Sequence, residues 1–281
     1  MRFSCLPQDV KKGMSINLLD FFRKKRSDLS NFLIHLTKNG SYEAWREMDS
    51  SNYAGRYLYG PSETIMAEDS LRKILTSPSP TLLARSPFGV FKVIGINVSK
   101  NRKLDIPPEW LMSVCFSETP LRELPSFYRA TQDPKNWSLK TNRYQKFGLA
   151  FDVEHMRSSG GHPVFYYDRR QTAIQKTIES LGNPNMHSLT RHILALCEPY
   201  GPKILEPTKE VDFRWEREWR VVGNFKFSWQ NVAFGICPEE KIPEFEILVK
   251  GSFPFLDPDW EIDRLKSDLE KRGWTQLAGK I

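Results

Sequence analysis

No run of 18 apolar residues occurs in the 281-residue chain, so no transmembrane helix and no membrane partner are expected. The opening MRFSCLPQDVKKGMSINLLDFF has no apolar core followed by a small-residue cleavage site, which predicts that no signal peptide is present. Cysteine is sparse. Cys5, Cys115, Cys197 and Cys237 are scattered without CxxC spacing, which argues against a thiolate metal site and fits reduced thiols in a cytoplasm. Histidine is also sparse, at five residues, and none has ligand spacing; His187 and His192 stand five apart and share a helical face poorly. No metal is therefore expected. There is no internal repeat and no composition shift that would mark a domain boundary.

What the chain does have is an ordinary globular balance: 40% hydrophobic and 27% charged residues, with aromatics at 12%. The formal net charge of +7 favours an anionic partner such as a nucleic acid, a phosphorylated cofactor or an acidic protein. Residues 1–30 read as a basic extension whose cluster Arg23–Arg26 is either a solvated helix end or a phosphate-binding patch. Residues 31–281 read as a single α+β domain. NFLIHLTK, EWLMSVCFSE, FGLAF, HPVFYYD, VAFGIC and FEILVKGSF are strand candidates. Helices are expected at 64–76, at QTAIQKTIESLG, at MHSLTRHILALC and at 257–273. In the last of these Asp257 or Asp259 would cap, and Gly273 would terminate. TPLRELPSFYRATQDP reads as a short helix at most, 39–63 as a long loop and 100–108 as a linker.

The stretch that organises the chemistry is Val211–Phe225, VDFRWEREWRVVGNF. Read as one strand, it puts Phe213, Trp215, Arg217, Trp219 and Val221 on one face and Arg214, Glu216, Glu218, Arg220 and Val222 on the other. Glu216 and Glu218 would then stand roughly 7 Å apart, bracketed by two guanidinium groups that keep them ionised. A fixed pair of carboxylates suits the stabilisation of a developing positive charge or the orientation of a hydroxyl. The plainer alternative is a solvated, charged face that keeps an edge strand from pairing. His35 and Thr37 share a face of the first strand with Leu33, where a histidine is commonly a satisfied core residue. Tyr144, just before a buried strand, is commonly core as well.

Four pieces in order, LIHLT, VCFSETPL, Tyr144 with FGLAF and GGHPVFYY, and EREWRV, resemble the AbiGi-like abortive phage infection family across about residues 30–250. Members of that family are described as the antitoxin half of a phage-defence pair, so the resemblance implies a cognate toxin or antitoxin protein as partner. The same order is similar to that of ADP-ribosyltransferases. That similarity implies a split, mixed and antiparallel β-sheet with peripheral helices around a cleft for NAD, which is consumed as substrate. His35 and Glu218 match the first and last signature positions, with Glu216 upstream of the latter, and Ser117 or Tyr144 matches the middle. The region 39–108 is longer than a minimal member needs.

The resemblance further implies that Glu218 accepts the ribose 2′-hydroxyl and stabilises an oxocarbenium ion. Glu216 would orient or deprotonate the nucleophile, and Tyr144 would stack on nicotinamide. His35, with Thr37 beside it, would bind the adenosine ribose, and Arg220 or Arg214 would meet the pyrophosphate or hold the glutamates. The expected function is a phage-defence toxin that transfers ADP-ribose from NAD to a macromolecule, RNA favoured over protein. The alternatives are a non-catalytic antitoxin or regulator and, more distantly, an NAD hydrolase.

Overall fold

The computed structural model describes residues 30–38, 40–41, 64–84, 113–132, 144–181, 193–202, 208 and 210–281. The expectations for the basic extension through residue 29, the loop over 42–63, the 100–108 linker and most of the helix at MHSLTRHILALC lie outside the described residues.

In chain order the strands are β1 (Phe32–Lys38), β2 (Gly40–Ser41), β3 (Thr64–Ile65), β4 (Thr81–Leu82), β5 (Ser113–Ser117), β6 (Tyr144–Asp152) and β7 (Gly161–Pro163). They continue with β8 (Phe165–Asp168), β9 (Cys197–Pro202), β10 (Glu210–Val211), β11 (Glu218–Val222), β12 (Phe225–Lys226), β13 (Val232–Ile236) and β14 (Phe255–Leu256). The helices are α1 (Ala67–Thr76), α2 (Leu124–Gln132), α3 (Val153–Ser158), α4 (Thr172–Leu181), α5 (Ile242–Leu248), α6 (Ile262–Lys271) and α7 (Thr275–Ala278). The main sheet has seven strands in the order β14-β13-β6-β1-β5-β11-β7, antiparallel throughout except for the parallel β13–β14 pair.

β1 sits at the centre, and both its faces are covered. Leu33 joins one core with Phe116, Leu149, Phe151, Trp219 and Val221, closed by Leu71 and Leu75 of α1, Met156 of α3 and Phe245 of α5. Phe32, Ile34 and Leu36 join a second core with Ala150, Phe234 and Ile236, closed by Leu124 and Phe127 of α2, Leu265 and Leu269 of α6 and Ala278 of α7. Burial on both sides explains why β1 reads as an unbroken apolar run instead of an alternation. The result is a mixed α+β fold with a sheet between two layers of helices. Among the described residues no helix is long and apolar enough to cross a membrane.

A second sheet, β10-β9-β8, branches from the first. Gly161–Asp168 is one stretch of chain that changes partner at Val164: β7 pairs with β11, and β8 runs parallel to β9. Val164 N donates to Glu218 O at 2.8 Å, and the next amide, Phe165 N, donates to Leu196 O at 2.7 Å. The two sheets therefore part at the first residue of β11.

Several expectations are corrected. The strand read at FEILVKGSF is instead the end of a helix, α5, which has proline in its first turn, followed by a return through Lys250 and Gly251, both at positive φ. A short apolar run does not distinguish the two states. The α6 N-cap is Glu261 without a side-chain bond, while Asp257 accepts from Glu239 N and Asp259 N instead. The segment after β5 forms a 3-10 turn and the nine-residue α2, more helix than its prolines suggested. The helix read over 64–76 ends at Ser77 as expected but begins only at Ala67, because Thr64–Ile65 form β3. The helix at QTAIQKTIESLG and the strand at VAFGIC stand as read, and α6 stacks Leu265 and Leu269 into the core before Gly273 turns the chain at φ 85°.

Candidate functional site

Val211–Phe225 is not one strand. After β10 the chain forms a 3-10 turn at Arg214–Glu216, Arg217 takes the left-handed conformation (φ 46°, ψ 52°), and the ladder resumes only at Glu218. Asp212 breaks it. Its carboxylate accepts the Arg214 amide at 3.0 Å and pairs with the Arg214 guanidinium at 2.7 Å, and its carbonyl accepts Trp215 Nε1 at 2.9 Å. Such local bonds offer the backbone an alternative to the ladder. The two-arginine bracket is corrected with it. Arg214 pairs with Asp212 and lies over the Tyr200 ring at 4.1 Å, so of the two bracketing arginines it is Arg220 that grips a glutamate of the doublet.

The doublet nevertheless remains together. Glu216 and Glu218 are both buried, and both lie near Tyr144. The Tyr144 hydroxyl donates to Glu216 Oε2 at 3.3 Å, and its pKa is raised well above the usual phenol value, by burial first and then by the charges of Glu216 and Glu218. Ser117, the other candidate for the middle position, is cross-strand from Glu218 and donates to Glu216 O at 2.6 Å. It holds the backbone of the first glutamate while Tyr144 holds its carboxylate. The Tyr144 ring packs on Phe127 (centroids 5.2 Å apart), which packs on Trp215 (5.1 Å).

Glu218 begins β11 at the seam between the sheets. Its amide donates to the Tyr166 hydroxyl at 3.1 Å, and burial with the nearby Glu218 charge raises the Tyr166 pKa. Its carboxylate meets the Arg220 fork: Nε to Oε1 at 3.1 Å and Nη2 to Oε2 at 2.8 Å. Arg220 then crosses to the second sheet, where Nη2 donates to Glu198 Oε2 at 2.7 Å and Nη1 donates to Ala195 O at 2.8 Å and Cys197 O at 3.3 Å. Burial opposes the Arg220 charge, but Glu218 and Glu198 hold its pKa well above the ordinary value. Burial pushes the Glu198 carboxyl up, against the pull of Arg220.

His35 and Thr37 are placed elsewhere. Strand alternation sends His35 to the face of Leu33 and Phe116, while Glu218 and Arg220 point away from that face, opposite to Trp219 and Val221. His35 Nδ1 donates to Cys115 O at 2.9 Å, and its ring lies 5.6 Å from that of Phe116. Thr37 donates to Ala67 O and Phe147 O and so ties α1 to the sheet. The structure thus brings together Glu216, Glu218, Ser117, Tyr144 and Arg220, and leaves His35 and Thr37 on the opposite face.

Glu198 and Tyr166 were missed in the sequence. A signal existed for Glu198, a lone acid within the apolar LALCEPYG that requires a cation, for which Arg220 inside apolar EWRVV is the complement. Among the described residues no group of three or more His, Cys, Asp or Glu is arranged to hold a metal ion. Comparisons with protein-family models, curated proteins and solved structures give no match for this chain.

Proposed function

We propose that this chain transfers ADP-ribose from NAD to a macromolecular acceptor, RNA favoured over protein, as the toxin of an abortive-infection pair. One arrangement carries the reading: two buried carboxylates lie beside a seam between two sheets, Glu216 bonded to the Tyr144 hydroxyl and Glu218 close enough for its charge to act on that hydroxyl. Loss of nicotinamide leaves positive charge on the ribose. Glu218, oriented by Arg220, would accept the 2′-hydroxyl and stabilise that charge, while Glu216 would orient the acceptor's nucleophile. Tyr144 and Trp215, packed through buried Phe127 beside Glu216, are the aromatic side chains that would lie nearest a flat cationic ring held at Glu218. His35, Thr37 and the pyrophosphate role of Arg220 are not carried into this reading, because the first two face the other core and the third is engaged by two carboxylates.

A second reading, a non-catalytic antitoxin or regulator of the same fold, draws on a different observation. Both Glu218 oxygens are occupied by Arg220, which is how a structural bridge between two sheets would also be built. Incubation of the purified protein with labelled NAD separates the two. The enzymatic reading expects NAD consumption that falls on the order of a hundredfold or more in Glu218→Gln, with the fold retained. A wild type that neither binds nor consumes NAD removes it and leaves the second reading.

A further inference from the structure

The Arg220 guanidinium is rooted in the second sheet by three groups within Ala195–Glu198: two carbonyls and the Glu198 carboxylate. Arg220 and Glu198 are each only 3% exposed. A guanidinium fork whose far side is also fixed is confined to fewer geometries than an exposed one such as that of Arg170 on Asp168, which rotamer freedom spreads. Here the far side is fixed by an acid from a different strand and sheet. We propose that Glu198 is a positioning residue for Glu218, acting through Arg220: it clamps the guanidinium so that Glu218 is held in one orientation and retains only a share of the cation's charge. This rests on the reading of Glu218 as the acid of the site, and it extends that reading to a residue outside the acidic doublet.

The charge argument makes the proposal testable. One cation serves two carboxylates. The groups around Glu218 are Arg220 on its own strand, Ser117 and Cys115 on β5, Tyr144 on β6, Tyr166 on β8, Glu198 on β9 and Glu216 in the preceding turn. Of these, Glu198 is the one whose neutralisation both removes a like charge and leaves Glu218 without a rival carboxylate on Arg220, while Ala195 O and Cys197 O still hold the guanidinium. Glu198→Gln keeps the shape and an acceptor oxygen, so the clamp is weakened without leaving a hole.

The test follows the carboxyl carbons of protein labelled at glutamate by NMR, with the Glu218 signal identified by its loss in Glu218→Gln. The midpoint of Glu218 is expected to move down by about half a pH unit or more in Glu198→Gln. It should stay in place in Glu240→Gln, an exposed control. Where NAD is turned over, Glu198→Gln should lower kcat on the order of tenfold with KM unchanged, the signature of misorientation and not of lost binding. An unmoved Glu218 midpoint, or wild-type kcat in Glu198→Gln, overturns the proposal. A wild type that ignores NAD overturns the functional reading alone, because the titration still decides the part played by Glu198.

Discussion

Arg217 separates the two glutamates in a conformation that L-residues avoid, at a cost of about 1–2 kcal/mol. Glycine adopts it freely, so Arg217→Gly should be more stable than Arg217→Ala by about 1 kcal/mol, read from urea midpoints. Arg220 carries a larger stake. Its replacement by Met leaves Glu198 and Glu218 buried without their cation, and a loss of about 3–5 kcal/mol is expected in the same measurement. Lysine in its place should recover only part of this, since one ammonium cannot reproduce a fork that reaches two carboxylates and two carbonyls. At this scale the sequence was informative about identity and weaker about partners. The doublet and Arg220 were legible because charges beside apolar residues are conspicuous, whereas Tyr144 and Ser117 came into view only through the resemblance. Strand faces were legible within β1 and β11, where Glu218 and Arg220 lie opposite Trp219 and Val221, but not upstream of β11, where the Asp212 side chain stops the strand.

Among the elements, β1 and β6 approach closely at Gly148. A Cβ on Gly148 would collide with the His35 carbonyl oxygen, a backbone atom that cannot move alone. Gly148→Ala should therefore cost about 1–3 kcal/mol, by thermal or urea unfolding. Helix α3 starts at Asp152, whose carboxylate accepts the Glu154 amide at 3.0 Å and also pairs with Lys280. Asp152→Ala should lose about 0.5–2 kcal/mol, and Asp152→Asn, which keeps a capping oxygen, less. That cap followed from no periodicity, since α3 is six residues long and continues directly from β6. Elements buried on both sides or patterned over three turns, such as β1, α1 and α6, were legible. Those set by local side-chain bonds or by a change of strand partner, such as Arg214–Glu216 and Val164, were not.

For the whole molecule, stability should respond to pH in two opposite ways. Burial raises the Glu198 carboxyl, so its contribution is fully present below the unfolded value of about 4.3 and is lost as pH rises through the higher folded value. Glu68 is held below its usual range, by Lys241 first. Asp152 is held there too, where burial opposes the lowering but Lys280 and the helix cap prevail. Both contribute stability above their unfolded pKa values that is lost as pH falls. The stability of Glu198→Gln relative to wild type should therefore increase from pH 4 upward, whereas acid unfolding of the two should be similar in onset. Paired urea titrations across that range check this.

On one side β1 is covered by α2 together with α6 and α7, and the last two come far later in the chain. While the polypeptide is being synthesised, Phe32, Ile34 and Leu36 emerge from the ribosome long before these last two helices. Until those helices follow, the nascent chain presents a sticky strand that suits capture by a chaperone, and maturation should be slow compared with that of a protein whose neighbours in space are also neighbours in order.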